Sequence, residues 1–154
     1  MKSSIAAACV AALALCSCGK SDGGAKGGGL PEGIQKVSVK DIRQQCEARE
    51  DDYVEAFRSM GMESRAEPKK IEKVKKECCP ALADASKSLS DIERAYLYNS
   101  MGAEMDGGSI TPRQVDEFRN AQDEISMDMT SAQVSAAMKL EYETFTQCKG
   151  RMLE

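Results

Sequence analysis

The sequence predicts an all-α fold, a small helical bundle of four main helices plus one or two short ones, after a disordered Gly-rich tether. Three observations support this prediction. Apolar residues recur at spacings of three and four, three segments begin with helix N-terminal signatures, and no segment alternates like a strand. Residues 34–154 are enough for one hydrophobic core and too few for two domains. We therefore expect a single helical domain over 34–154.

The first predicted helix carries an apolar stripe with one gap. Its members follow spacings of four, seven, four and three: Ile42, Cys46, Tyr53, Phe57 and Met60. The gap falls at Arg49 and Glu50, so charge is expected to interrupt the stripe there. Gly61 is a natural stop, because glycine readily adopts the left-handed conformation that ends many helices.

The second predicted helix begins at Pro68, since proline is well tolerated in the first turn of a helix. Its inner face is formed by Ile71, Val74 and Cys78. Pro80 lacks an amide hydrogen and clashes with the preceding turn, so we expect a turn or kink at Cys79-Pro80. A short helical piece carrying Leu82, Ala85 and Leu89 is expected to follow.

Three later helices begin with capping boxes, in which a hydroxyl and a side chain three residues later satisfy each other's free amides. The boxes are Ser90–Glu93, Thr111–Gln114 and Thr130–Gln133. The last helix has an apolar stripe with one polar interruption at Glu141; its members are Val134, Met138, Phe145, Cys148 and Met152. These features complete the predicted bundle.

The N-terminus carries a short apolar segment that ends in a thiol. Lys2 precedes an apolar stretch from Ile5 to Leu15, which is too short to span a bilayer as a permanent helix. The stretch Leu15-Cys16-Ser17-Cys18 resembles the lipobox of bacterial lipoproteins. That resemblance implies removal of a signal peptide, residues 1–17. It also implies diacylglyceryl on the Cys18 sulfur and an acyl chain such as palmitate on the new amine.

The resemblance also implies an address in the bacterial cell envelope. Gly19 is not the Asp that retains lipoproteins at the inner membrane of enterobacteria, so the outer membrane is favoured, facing either the periplasm or the surface. If Cys16 were the lipidated residue, bulky Leu15 would precede the cleaved bond in place of the small Ser17, so Cys18 is favoured. The alternative is an ordinary signal cut after Ala12-Leu13-Ala14, which would release a soluble protein.

Residues 18–33 form the predicted tether between the lipidated cysteine and the domain. The stretch from Gly19 to Gly33 contains seven glycines and one large apolar residue, Leu30. A Gly-rich coil of this length spans about 20 Å root-mean-square. Two or three acyl chains hold a protein on a membrane. We expect the tether to separate the domain from that membrane.

Four cysteines of the mature chain are disulfide candidates: Cys46, Cys78, Cys79 and Cys148. Four cysteines allow three pairings, and a bond between adjacent Cys78 and Cys79 would close a strained ring. Two pairings remain open, and both join Cys46 and Cys148 to the Cys78-Cys79 pair. A redox or zinc role is not favoured, because the spacing is not C-x-x-C and the chain has no histidine.

The lack of histidine also argues against an enzyme, because it removes the commonest general base and the histidine-based nucleophile systems. The acidic clusters Glu50-Asp51-Asp52 and Asp123-Glu124 are interpreted as solvated helix faces. Charges are mixed in sign, so nothing indicates nucleic acid. We expect no catalytic residues and no cofactor.

Two functional hypotheses remain. The first is a non-enzymatic binding module, tethered to the membrane by lipid, whose protein or envelope-polymer partner is unidentified. The second is Cu(I) handling in the periplasm, because soft thioethers select that ion and methionines occur in pairs. These pairs are Met60 with Met62, Met101 with Met105, and Met127 with Met129. Methionine also fills irregular gaps in apolar cores, so packing competes with the copper hypothesis.

Overall fold

Six α-helices follow one another in a computed structural model that describes residues 29–62, 67–105 and 110–153. They are α1 Val39–Ser59, α2 Pro68–Ala85, α3 Asp91–Ala103, α4 Pro112–Met127, α5 Ser131–Glu141 and α6 Gln147–Leu153. A 3₁₀ turn, Ser86–Ser88, follows α2, and a π-helical segment, Tyr142–Thr146, joins α5 to α6. These residues include no strand, so the all-α prediction is confirmed.

The predicted helix ends are confirmed in detail. Ser90, Thr111 and Thr130 each accept a hydrogen bond from the amide three residues later, and each later side chain accepts from the cap amide. Ser38 caps α1 in the same way. At the other end of α1, Gly61 has φ of +68° and its successor, Met62, donates from its amide to the Phe57 carbonyl at 2.9 Å. This reverse turn ends the helix.

Two disulfides fix α1 and α6 to α2. Cys46 is bonded to Cys79, and Cys78 is bonded to Cys148. All four cysteines belong to the hydrophobic core. Adjacent cysteines on α2 thus hold the first and the sixth helix, which are far apart along the chain. This decides between the two pairings that the sequence left open.

A turn or a kink was predicted at Cys79-Pro80, and the turn is wrong because helix α2 does not end at Pro80. The helix continues through this proline to Ala85. Pro80 has no amide hydrogen to donate to the carbonyl of Lys76. Lys76 is exposed, so a water molecule can donate to that carbonyl instead. The disulfides at Cys78 and Cys79, immediately before Pro80, and the burial of Leu82 after it hold this part of the helix in place. Leu89, expected in a helix, is buried in extended conformation after the 3₁₀ turn.

The stretch predicted as one last helix consists of α5, the π-helical segment and α6. The π-helical segment changes which of its residues face the core. Met138, predicted on the inner stripe, is 57% exposed, and its neighbour Ala137 is fully buried. A π turn contains one residue more than an α turn, which rotates the helix register by about 100°. Phe145 and Cys148, which lie within and after the segment, face the core as predicted. A single helical period therefore fits only part of this helix.

The N-terminal part of the described chain packs against the domain. Leu30, within the predicted tether, and Ile34 are partly buried against the core, and Val37 is buried in it. The Arg94 guanidinium donates to the Val37 carbonyl at 3.3 Å and to the Leu89 carbonyl at 2.8 Å. Cys18 and the signal segment lie outside the described residues. Among those described, no helix is both long and apolar enough to cross a bilayer.

Candidate functional site

A cavity of about 470 Å³ opens between α1, the end of α3 and the helix that contains the π segment. Its lining includes six charged residues: Arg49, Glu50, Asp52, Glu104, Glu141 and Lys149. Three aromatic residues and one methionine also line it: Tyr53, Tyr142, Phe145 and Met138. Charged groups and large apolar side chains therefore meet in one concave site, an arrangement typical of ligand pockets.

Arg49 is the central cation of the cavity. Its Nη1 lies 2.8 Å from a carboxylate oxygen of Glu104 and 2.6 Å from one of Glu141. The guanidinium carbon lies 4.6 Å from the centre of the Phe145 ring. The Arg49 side chain is only 10% exposed, so these contacts operate where water screens charge poorly. Arg49 joins α1 to the end of α3 and to Glu141 at the end of α5.

A second ion pair lies beside the first. Lys149 Nζ donates to Glu50 Oε1 at 2.9 Å and lies 2.8 Å from Oε2. It also lies 4.3 Å from the centre of the Tyr53 ring. Glu50 is 1% exposed, and its Oε2 accepts no hydrogen bond, which singles it out among the buried side-chain oxygens and nitrogens of the described residues. We call Arg49, Glu50, Glu104, Glu141 and Lys149 the buried charge network.

The network corrects the interpretation of Glu50-Asp51-Asp52 as a solvated face. Glu50 and Asp52 are buried, at 1% and 3% exposure, and only Asp51 is exposed, where it accepts from Lys75 at 2.8 Å. The physical reason is that the opposing helices supply cations and aromatic rings to this side of α1. The two stripe interruptions, at Arg49–Glu50 and at Glu141, were the signal for the site. The sequence does not show that they face each other.

The mouth of the cavity combines an acidic group with exposed apolar surface. The Glu104 side chain is 58% exposed, yet desolvation at the cavity raises the pKa of its carboxyl. The charge of Glu141 also raises it, and Arg49 opposes both effects. Met138 and Tyr142, four residues apart, are 57% and 59% exposed. Two large apolar side chains are therefore exposed beside the concave site.

The six methionines of the copper hypothesis lie at different depths. Met101 and Met105 are buried at 0% and 2% exposure, and Met129 at 6%. Met62 is intermediate, whereas Met60 and Met127 are 56% and 67% exposed. The Gln45 amide donates to the Met105 sulfur at 4.0 Å. Core packing thus accounts for three of the six, and copper binding stays a prediction.

The other predicted site residues lie away from the cavity. Asp123 and Glu124 are exposed on α4, as expected for a solvated face. In the described parts of the chain, no three histidine, cysteine or acidic side chains are grouped so that they could hold a metal ion. The chain was also compared with known proteins. No family model, curated protein or solved structure matches it. The cavity and the N-terminal sequence are therefore the two features of the chain that bear on its function.

Proposed function

We propose that this protein is a lipid-anchored component of the bacterial cell envelope, a non-enzymatic binding module. The lipobox-like Leu15-Cys16-Ser17-Cys18 supports the anchor at Cys18. The Gly-rich stretch that follows supports a tether between membrane and domain. Two disulfides fit an oxidising compartment, because the bacterial cytoplasm keeps most thiols reduced. The outer membrane is the proposed location.

The observation that carries the binding role is the cavity with its apolar mouth. Its buried charges are paired with one another, so the groups at its floor are held in place before a ligand arrives. A preorganised site loses less conformational entropy on binding. Met138 and Tyr142 offer apolar contact area at the entrance. This combination suits recognition of a partner that has both polar and apolar groups.

The same pairing argues against catalysis at this site. A general acid or base needs a group that can exchange a proton with a substrate. Glu50 and Glu141 are instead held by Lys149 and Arg49 at 2.6–2.9 Å, and the chain has no histidine. Carboxylate oxygens that are held by a neighbouring cation are not free to contact a substrate. A binding role is therefore favoured over an enzymatic one.

Photo-crosslinking in intact cells tests this proposal. The photoreactive residue p-benzoylphenylalanine replaces Tyr142 at the cavity mouth, and the matched control replaces Asn120, an exposed residue of α4. We expect a discrete crosslinked species in the membrane fraction at position 142 and none at position 120. Identical products at the two positions, or none at 142, would contradict a binding site at the cavity.

A further inference from the structure

We propose that the cavity binds an organic cation, a primary ammonium or guanidinium group carried on a short apolar arm. This inference rests on the proposed binding function and names the ligand chemistry of that site. The free amine and the side chain of lysine or arginine in a partner peptide share this chemistry. Charge, hydrogen bonding and the shape of the mouth each support it.

The buried charge network carries a surplus of negative charge. It contains three carboxylates, Glu50, Glu104 and Glu141, and two cations, Arg49 and Lys149. A single nitrogen of Arg49 serves both Glu104 and Glu141, so two acidic groups share one positive charge. The surplus negative charge lies at the mouth, where Glu104 is partly exposed. A cationic ligand beside Glu104 would balance this surplus charge.

Hydrogen bonding at the mouth also favours a donor ligand. Glu50 is already paired, because Lys149 Nζ lies 2.9 Å from its Oε1 and 2.8 Å from its Oε2. Glu104 is the most exposed carboxylate of the network, so it is the acceptor that a ligand with N–H groups can reach from the mouth. A carboxylate ligand has no N–H to offer. An anion would also compete with Glu104 and Glu141 for Arg49.

The end of α3 and the rim of the cavity also favour a cation with an apolar arm. Glu104 is the C-cap of α3, and a helix C-terminus carries a partial negative charge that favours cations. Ser100, in the last turn of that helix, lines the cavity. Met138 and Tyr142 border the same mouth with exposed apolar surface. An ammonium head can therefore lie near Glu104 while its apolar arm contacts Met138 and Tyr142.

The test measures binding of three probes of equal length to the full chain, purified in detergent with its disulfides intact. The probes are n-hexylammonium, hexanoate and hexan-1-ol, and isothermal titration calorimetry gives each dissociation constant. We expect n-hexylammonium to bind at millimolar or lower concentration and more tightly than the other two. Equal or tighter binding of hexanoate, or no binding of n-hexylammonium, would overturn the cation proposal.

Variants locate the binding. Glu104→Gln removes the surplus charge from a partly exposed position and should weaken n-hexylammonium binding about tenfold. Glu117→Gln, an exposed carboxylate of α4 outside the cavity, is the matched control and should leave it unchanged. Tyr142→Ala should abolish the advantage of n-hexylammonium over methylammonium. Equal effects of Glu104→Gln and Glu117→Gln would overturn the proposed site.

Two further arms separate the sources of the cation. Tighter binding of spermidine than of the peptide acetyl-Phe-Lys-amide would support a free amine, and the reverse order would support a partner side chain. Crosslinking at position 142 separates failure of the cation proposal from failure of the binding function. A discrete crosslink together with a preference for hexanoate would overturn the cation chemistry and leave the binding module intact. Absence of both cation binding and crosslinking would contradict both proposals.

Discussion

Replacing Arg49 with methionine tests the buried charge network most sharply. The change keeps a long side chain over Phe145 and removes the charge that holds Glu104 and Glu141. Removing one partner of a buried ion pair typically costs about 3–5 kcal/mol of unfolding free energy. The Glu141 side chain is 15% exposed and cannot easily reach water, whereas Glu104, at 58%, can turn outward. We therefore expect a loss near the lower limit, about 3 kcal/mol.

Urea unfolding followed by circular dichroism, with the disulfides intact, measures this loss. The matched control is Arg119→Met on α4, where an exposed guanidinium lies 3.5 Å from Asp116. A surface change of this kind should alter stability by less than about 0.5 kcal/mol. A loss below about 1 kcal/mol for Arg49→Met would refute the argument that the network is buried and interdependent.

The pH dependence supplies an independent check of the same prediction. Burial and the charge of Glu141 already raise the pKa of Glu104 despite Arg49, so removing Arg49 raises it further. A carboxyl with a raised folded-state pKa lowers stability above that pKa, and this penalty disappears as the pH falls through it. The stability difference between wild type and Arg49→Met should therefore shrink between about pH 7 and about pH 4. A difference that stays constant or grows would contradict the account.

Three further predictions concern the scaffold. Replacing Cys78 and Cys148 with alanine opens a link between residues 70 positions apart and should cost about 4 kcal/mol in urea unfolding. A loss below about 1 kcal/mol would show that the link is not a major constraint. In Gly102→Ala, the added methyl group would overlap the Phe118 ring, so we expect a loss of about 1–3 kcal/mol in thermal or urea unfolding. No loss would contradict the close packing of α3 on α4. Hydrogen bonds from the Ser38 side chain and backbone lower the pKa of Asp41, so its contribution to stability is present above its unfolded pKa and is lost as the pH falls through the folded value. NMR titration of the Asp41 carboxyl should give a pKa below 3.8, and a higher value would contradict the capping box.

Local chemistry explains why much of the fold was predictable. A capping box needs only two residues three positions apart, and Gly61 needs only its own freedom to adopt positive φ. Those helix ends are therefore visible in the sequence, and the structure has them where expected. The disulfides were limited to two pairings for the same kind of local reason, because adjacent Cys78 and Cys79 do not bond to each other. The final choice required the arrangement of α1 and α6 around α2.

The candidate site was less predictable because it depends on contacts between distant segments. Arg49 and Glu141 lie 92 residues apart, and each alone looks like a polar interruption of an apolar stripe. The π segment, Tyr142–Thr146, changes the helical register, so the 3.6-residue period places Met138 on the wrong side. Pro80 likewise lies within a helix because the two disulfides immediately before it, at Cys78 and Cys79, and the buried Leu82 after it support the helix. Each difference arises from tertiary packing that overrides a local preference.

The intact mass of the protein, extracted from the membranes of a bacterium that expresses the full chain, tests the central claim most directly. The sample is measured natively and then denatured without reductant. We predict residues 18–154 carrying diacylglyceryl and one amide-linked acyl chain, four hydrogens lighter for two disulfides, with no metal. An unlipidated mass would contradict the membrane anchor. Copper retained in the native spectrum would contradict the present account and favour the methionine hypothesis.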